Sequence, residues 1–492
     1  MFTFLTTSVS IAYNLPDIGS SSNSSLSYKD ERMLGEYIYS NIQSDLALVS
    51  SPIIEDYIQI LGNKLLNNSN KHYESFNFFI VDSSDINAFA LPGGFIGVNR
   101  GLITAAENES ELAAVLAHEI THVNQRHIAR SFEKQQQLQL PMIAGILAGA
   151  LLSAYSPQAG QSIIAGSMAA GNQSLINYTR SNEEEADRIG MSVLTKSGYS
   201  PYSMGKFFNK LQRNAYSDKE TYPEYLRTHP VTDNRITDAN SRADEILINK
   251  ANKNNNSLNI QSTNKDQKLL ADLNSNNFNF ALIKSLFLYS KNNNTKNLKY
   301  YSEAEQDIFQ NDIEQFGNAY YLLKNNKFQE AGKIFKNLNA KYPKNSIIAS
   351  LYAESYSKQP SIALNIIATQ LKQNPTNIPL NLQYARIALN NNKPNAAITT
   401  LKKVIKYHNN YPLEVNLLLA NSYNKLNQKW QASLAYSDYS VQKGDLSSAI
   451  MQLKSTSKYN KLNEYQTKIT NYRIKSLEAQ FKDRKEQLQG WI

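Results

Sequence analysis

Two histidines four residues apart with a glutamate after the first, His118-Glu119-Ile120-Thr121-His122, restrict this chain more than any other stretch. On a helix, positions i and i+4 project from one face a turn apart, so both imidazoles can meet one Zn²⁺. Glu119 falls on the adjacent flank, where a carboxylate can take a proton from a water held at the ion. With six histidines and 42 acidic residues in 492, composition alone yields roughly 0.006 such matches. Leu112, Val115, Leu116, Ile120 and Val123 recur at helical spacing around the motif and predict a helix from about Ser110.

The chain has no cysteine. Disulfides, thiolate metal sites and a cysteine nucleophile are excluded, so any ion must be held by histidine and carboxylate. A catalytic zinc takes three protein ligands and keeps a fourth position for water. The third could come from His127, His229 or a carboxylate. His127 is five residues past His122, points off the ligand face, and reads as a surface or helix-end histidine. His229, just before Pro230, fits a simple turn. Glu183-Glu184-Glu185-Ala186-Asp187 precedes the apolar positions Ile189, Met191, Val193 and Leu194 and reads as a helix start, where acids favour the dipole. That explains Glu184 and Glu185. It does not explain why Glu183 and Asp187 share a face at i and i+4, as a metal ligand and a supporting partner would.

The remaining sequence divides into two parts. Residues 28–67 carry apolar positions at helical spacing and predict two helices. The runs Phe76–Val81 and Phe95–Val98 flank Asn87-Ala-Phe-Ala-Leu-Pro-Gly-Gly94, whose Pro and Gly pair predict a turn between strands of a small antiparallel sheet. From Gln135 to Thr179 there is no charged residue, yet the most apolar part, Leu140–Ala154, is shorter than the ~20 residues of a membrane span. It reads as a hairpin or flap, with residues 140–170 available to touch a membrane surface. An Asn-rich segment within 247–278 predicts a linker. Beyond it, Ala331, Ala363 and Ala397 lie 32 and 34 residues apart, each opening an amphipathic helix. That period is close to the 34-residue tetratricopeptide repeat. The expected fold is mostly α: a metalloprotease domain at 28–246, with helices around a small sheet, and a helical repeat solenoid at 279–476. Net charge is +9, but the lysines are scattered among acids in no block of like charge, so no nucleic-acid partner is expected.

His118–His122 followed 61 residues later by Glu183-x-x-x-Asp187 resembles the HtpX-like and CAAX-prenyl-endopeptidase zinc peptidases, which are gluzincins. Asn87–Gly94, Gly101-Leu-Ile103 and Thr228-His229-Pro230 followed by Arg235 match the same pattern. The resemblance implies Glu183 as third ligand, Asp187 orienting a ligating histidine, one Zn²⁺ per chain, and Asn87, Ala88 and Phe89 on an edge strand along which substrate backbone is laid. It implies a role for His229 as well, reaching the fourth zinc position or donating to the oxyanion of the tetrahedral intermediate. With its carboxy-terminal repeats, and with Asn14-Leu-Pro-Asp-Ile-Gly19 as a mature amino terminus, the chain is most similar to the periplasmic BepA-type β-barrel assembly-enhancing proteases. Unfolded or misassembled outer-membrane proteins are then the expected substrates, and the β-barrel assembly machinery the expected partner through the repeats. Met1–Ala12 reads as a truncated signal peptide and the location as periplasm. The rival reading is a repeat chaperone or docking protein with a latent or structural zinc site.

Overall fold

The structure, a computed structural model, describes residues 26–45, 47–70, 73, 75–134, 156, 180–217, 223–255, 277–289, 309–459 and 461–491. The expectations placed on 1–12 and, apart from Ser156, on 140–170 lie outside these residues. Two helices, α1 (Tyr28–Asp45) and α2 (Pro52–Leu66), open the described chain. Pro52 sits in the first turn of α2, where its missing N–H costs nothing. Leu34, Ile38 and Ile42 of α1 and Ile54, Tyr57, Ile58, Leu61 and Leu65 of α2 are buried at the spacing that predicts them.

The sheet has three strands, β1 (Asn77–Val81), β2 (Ala88–Leu91) and β3 (Phe95–Asn99), in the order β1-β3-β2. The turn at Pro92–Gly94 makes an antiparallel hairpin of β2 and β3, with Gly93 and Gly94 at φ +74° and +91°, where a Cβ is strained. The Phe76–Val81 run does not join this hairpin as an antiparallel partner: β1 pairs with β3 in parallel, Asn77 opposite Phe95. Parallel strands need a crossover, and here β2 itself lies within the connection.

Helix α3 (Arg100–Ala105) leads into α4 (Glu109–Asn124), which Asn108 caps by accepting from the Glu111 amide at 3.1 Å. Spacing predicts one inner face for α4, but every one of its residues is buried. It runs between β2 on one side and, on the others, α2, α6 (Arg180–Lys196) and α7 (Tyr202–Ser217). Between α4 and α6 in the chain is the short α5 (His127–Lys134). The single turn α8 (Tyr225–Thr228) and the long α9 (Asp233–Asn255) follow α7. α9 continues well into the Asn-rich segment, because asparagine and lysine cost a helix only tenths of a kcal/mol per residue.

The carboxy-terminal half is an array of alternating helices: α10 (Gln310–Lys324), α11 (Phe328–Lys341), α12 (Ser346–Glu354), α13 (Pro360–Gln373), α14 (Ile378–Asn390), α15 (Pro394–Tyr407), α16 (Glu414–Lys425), α17 (Lys429–Gln442), α18 (Leu446–Tyr459) and α19 (Glu464–Trp491). One turn recurs in it. Asn326, Asn392, Asn427 and Gly444 all adopt positive φ, and each lies five residues before a buried alanine, Ala331, Ala397, Ala432 or Ala449. Asparagine and glycine tolerate the left-handed turn, and the small alanine lets the next helix close on its neighbour.

The two halves share one apolar core. A helical segment at 277–288 inserts Phe278, Phe280, Leu282, Ile283 and Leu286 into the cluster that also holds Leu112, Leu116 and Ile120 of α4. Its Lys284 is buried and donates to the Ala106 carbonyl at 2.7 Å. Farther along, Asn410 donates to the carbonyl of Phe76 at 3.3 Å, so the array also touches the edge of β1.

Candidate metal centre

Three elements bring the centre together. α4 presents His118, Glu119 and His122; α6 presents Glu183 and Asp187; the turn after α8 presents His229. All six are buried. The approach of α6 to α4 depends on Gly190, which continues the face of Glu183 and Asp187 by one turn. A Cβ there would stand 3.2 Å from the backbone of Ala117 and His118, tighter than such contacts normally are. His229 is set by its own amide, which donates to the Tyr225 carbonyl at 2.8 Å, and by its ring stacking on Tyr225 at 4.7 Å.

His118, His122, Glu183 and His229 each offer one ligand atom, and these atoms lie within 4.8 Å of one another. His118 Nε2 is 3.0 Å from His122 Nε2 and 3.4 Å from Glu183 Oε2, and His122 Nε2 is 3.3 Å from Glu183 Oε1. Donors about 2.0–2.1 Å from a tetrahedral zinc stand roughly 3.3–3.4 Å apart, so the spacing suits such an ion. His229 Nδ1 joins the same cluster, 3.0 Å from Glu183 Oε1 and 3.4 Å from His118 Nε2.

Electrostatics separates the groups. Burial works against charge on His118, but Asp187 and Glu183 outweigh it and raise its pKa to about 9. Burial instead dominates at His122 and lowers it to about 3. Burial opposes ionisation of Glu183 too, yet the facing His229 and His122 hold its carboxyl well below the usual range. Asp187 Oδ1 lies 2.9 Å from His118 Nδ1, oblique to the ideal hydrogen-bond direction. Asp187 is gripped from behind by Arg235, whose Nε and Nη2 donate to its two oxygens at 2.7 and 2.8 Å, while Nη1 stands 3.0 Å from Glu183.

Glu119 differs from the others. It is fully buried, and neither oxygen makes a hydrogen bond of good geometry. Burial pushes its pKa up; His229, His118 and the Ala90 amide counter this only in part. His229 Nε2 faces its Oε1 at 3.6 Å. An unsatisfied buried carboxylate is costly and serves no purpose in a site that only holds metal. A water or a substrate group beside an ion would satisfy it.

Six of the nine expected site residues meet at one point, and Asn87, Ala88 and Phe89 stand apart from it. Asn87 and Phe89 stand along the hairpin: Asn99 donates to the Asn87 carbonyl at 3.0 Å, so the backbones of 87, 89 and 91 face β3. The backbones of Ala88 and Ala90 therefore face outward from the free edge of β2, towards α4. His127 is no surface residue. It opens α5 fully buried, with Nδ1 2.8 Å from His122 Nδ1 and Nε2 3.1 Å from Glu185 Oε2. Glu185, legible as a helix-start acid, is thus occupied by His127 and by Arg130.

The model of peptidase family M48 matches residues 52–243. Over 472 residues the chain is 33% identical to the β-barrel assembly-enhancing protease of Escherichia coli (strain K12), an alignment covering 95% of this chain and 91% of that protein. Identity to the protein of that name from Yersinia pestis is 33% over 409 residues, 82% of this chain and 79% of the relative. The mitochondrial metalloendopeptidase OMA1 of Bos taurus is 30% identical over 160 residues, 32% of this chain and 30% of that protein.

Proposed function

The chain belongs to peptidase family M48, and we propose that it is a zinc-dependent endopeptidase of envelope protein quality control, acting in the periplasm on unfolded or misassembled outer-membrane β-barrel proteins. The observation that carries the chemistry is the unsatisfied Glu119 carboxylate beside a converging His118, His122 and Glu183. The substrate class rests on likeness over nearly the whole length to proteins named for enhancing β-barrel assembly.

In this reading His118, His122 and Glu183 hold the ion, and Asp187, held by Arg235, fixes the ring of His118. Bound zinc supplies a Lewis acid that polarises the scissile carbonyl and acidifies water. Glu119, desolvated and raised in pKa, takes the proton of the attacking water and returns it to the leaving amine. Substrate backbone pairs with the outward-facing Ala88 and Ala90 on the edge of β2, with Asn87 and Phe89 holding that strand against β3. His229, 4% exposed, closes the site at rest and donates to the oxyanion once turned aside. The unit at 28–246 cuts, and the tetratricopeptide-like array at 279–476 presents a docking surface for the assembly machinery.

A closed four-donor cluster is also what a structural zinc site looks like, the one feature that favours a docking protein with a latent metal. The costly Glu119 weighs against it. Metal analysis tests the ligand set. The purified chain should carry one zinc, His118→Ala, His122→Ala and Glu183→Ala should each lose tight binding, and His229→Ala should keep it. Asp187→Asn should bind roughly 10–100-fold more weakly. Full zinc occupancy in Glu183→Ala, with loss in His229→Ala, would transfer the third position to His229.

A further inference from the structure

The ligand His118 rests on a carboxylate, but His122 rests on another imidazole. Its Nε2 faces the centre, and its Nδ1 lies 2.8 Å from His127 Nδ1. Two ring nitrogens at that distance share one proton, and the order is fixed by what lies at each end. To give Nε2 to an ion, His122 must carry its proton on Nδ1. His127 Nδ1 is then the bare acceptor, so the His127 proton sits on Nε2 and is donated to Glu185 Oε2 at 3.1 Å. Glu185 is paired in turn with Arg130.

The backbone is arranged to make this contact. α4 ends at Asn124, and Arg126 takes φ +54°, a conformation that a side-chain-bearing residue rarely adopts. It is held there by a buried pair with Glu31 at 3.0 Å and by the Tyr28 ring 4.1 Å below its guanidinium. This left-handed step returns His127 towards His122, although the two are five residues apart. The turn is therefore anchored by α1, through residues remote from the ion.

We infer that His127 is a positioning residue that fixes the ring orientation and tautomer of the metal-facing His122, with Glu185 and Arg130 holding His127 in the accepting form. The inference rests on the ligand set proposed above. Both ligating histidines are thereby oriented, one by Asp187 and Arg235, the other by this relay. Using neutral His127 as the direct acceptor keeps a second carboxylate off the ligand, and Arg130 balances the one behind it.

Zinc affinity of the full chain, measured by competition with a chromophoric chelator, tests the relay without reference to catalysis. His127→Ala should bind about 10–100-fold more weakly, as the loss of an outer partner of a metal ligand does. His127→Asn, whose Oδ1 occupies the Nδ1 position as an acceptor, should recover most of that loss. A merely structural imidazole would lower the denaturation midpoint of the metal-free chain and leave zinc affinity unchanged. Should His127→Ala not fold, Glu185→Ala should still weaken zinc. With only six histidines, ring-nitrogen NMR of the zinc-loaded parent should show His127 protonated at Nε2 alone. Parent-like affinity in His127→Ala, or a proton on His127 Nδ1, overturns the inference. A parent chain that binds no zinc overturns the ligand set instead.

Discussion

Glu119→Gln should abolish peptide hydrolysis while leaving zinc content and fold intact. The substitution keeps shape and removes only the charge and the basic lone pair. General-base assistance is worth about 10²–10⁴-fold in rate, and that is the expected fall in kcat/KM on an unfolded substrate. The stability effect should run the other way. Glu119 is fully buried, and its oxygens make no good hydrogen bond, so a neutral amide there removes part of the desolvation cost that the carboxylate imposes. A denaturation midpoint equal to or above that of the parent, together with lost activity, marks a residue kept for chemistry at the expense of stability. Activity within tenfold of the parent would remove Glu119 from the base role.

Arg235→Ala should cause the largest stability loss of any substitution around the centre. Arg235 is 4% exposed and grips Asp187 with two hydrogen bonds. It also stands 3.0 Å from Glu183, donates to the Pro230 carbonyl at 2.7 Å, and lies over the Phe208 ring. Removing it takes the guanidinium away from two buried carboxylates, and breaking comparable buried pairs costs about 3–5 kcal/mol. The loss should be greatest in the metal-free chain, because a bound ion supplies positive charge to Glu183. Zinc affinity should fall as well, since Asp187 no longer holds its place at His118. Arg235→Lys should rescue little, as an ammonium cannot make the two-pronged contact. Urea midpoints with and without zinc measure both effects; a loss below about 1 kcal/mol in the metal-free chain would mean that the carboxylates find other partners.

Local periodicity made the core of the centre readable. His118, Glu119 and His122 on one helix, and Glu183 and Asp187 on one face of another, follow from the 3.6-residue repeat, and the structure sets these two faces together. The strand-turn-strand at 87–99 follows from its Pro-Gly-Gly turn in the same way. Reasoning of that kind stops at the end of an element. His127 was out of reach because the helical wheel that excludes it ends at Asn124, and the left-handed Arg126 starts a new direction. Sheet order was out of reach because the parallel pairing of β1 with β3 joins strands that have β2 between them in the chain. The core shared between 277–288 and α4 is likewise a long-range fact that an Asn-rich stretch between them conceals. Net charge and composition served only to exclude.

On the proposed ligand set, hydrolysis depends on an ion held by His118, His122 and Glu183 and used by Glu119. That dependence can be measured by incubating the purified full chain with an unfolded outer-membrane β-barrel protein, before and after removal of metal by a chelator, and again after zinc is restored. The untreated chain should cleave, the chelated chain should not, about one equivalent of zinc should restore cleavage, and Glu119→Gln should not cleave at any stage. Undiminished cleavage by a chain shown by metal analysis to be metal-free would contradict it.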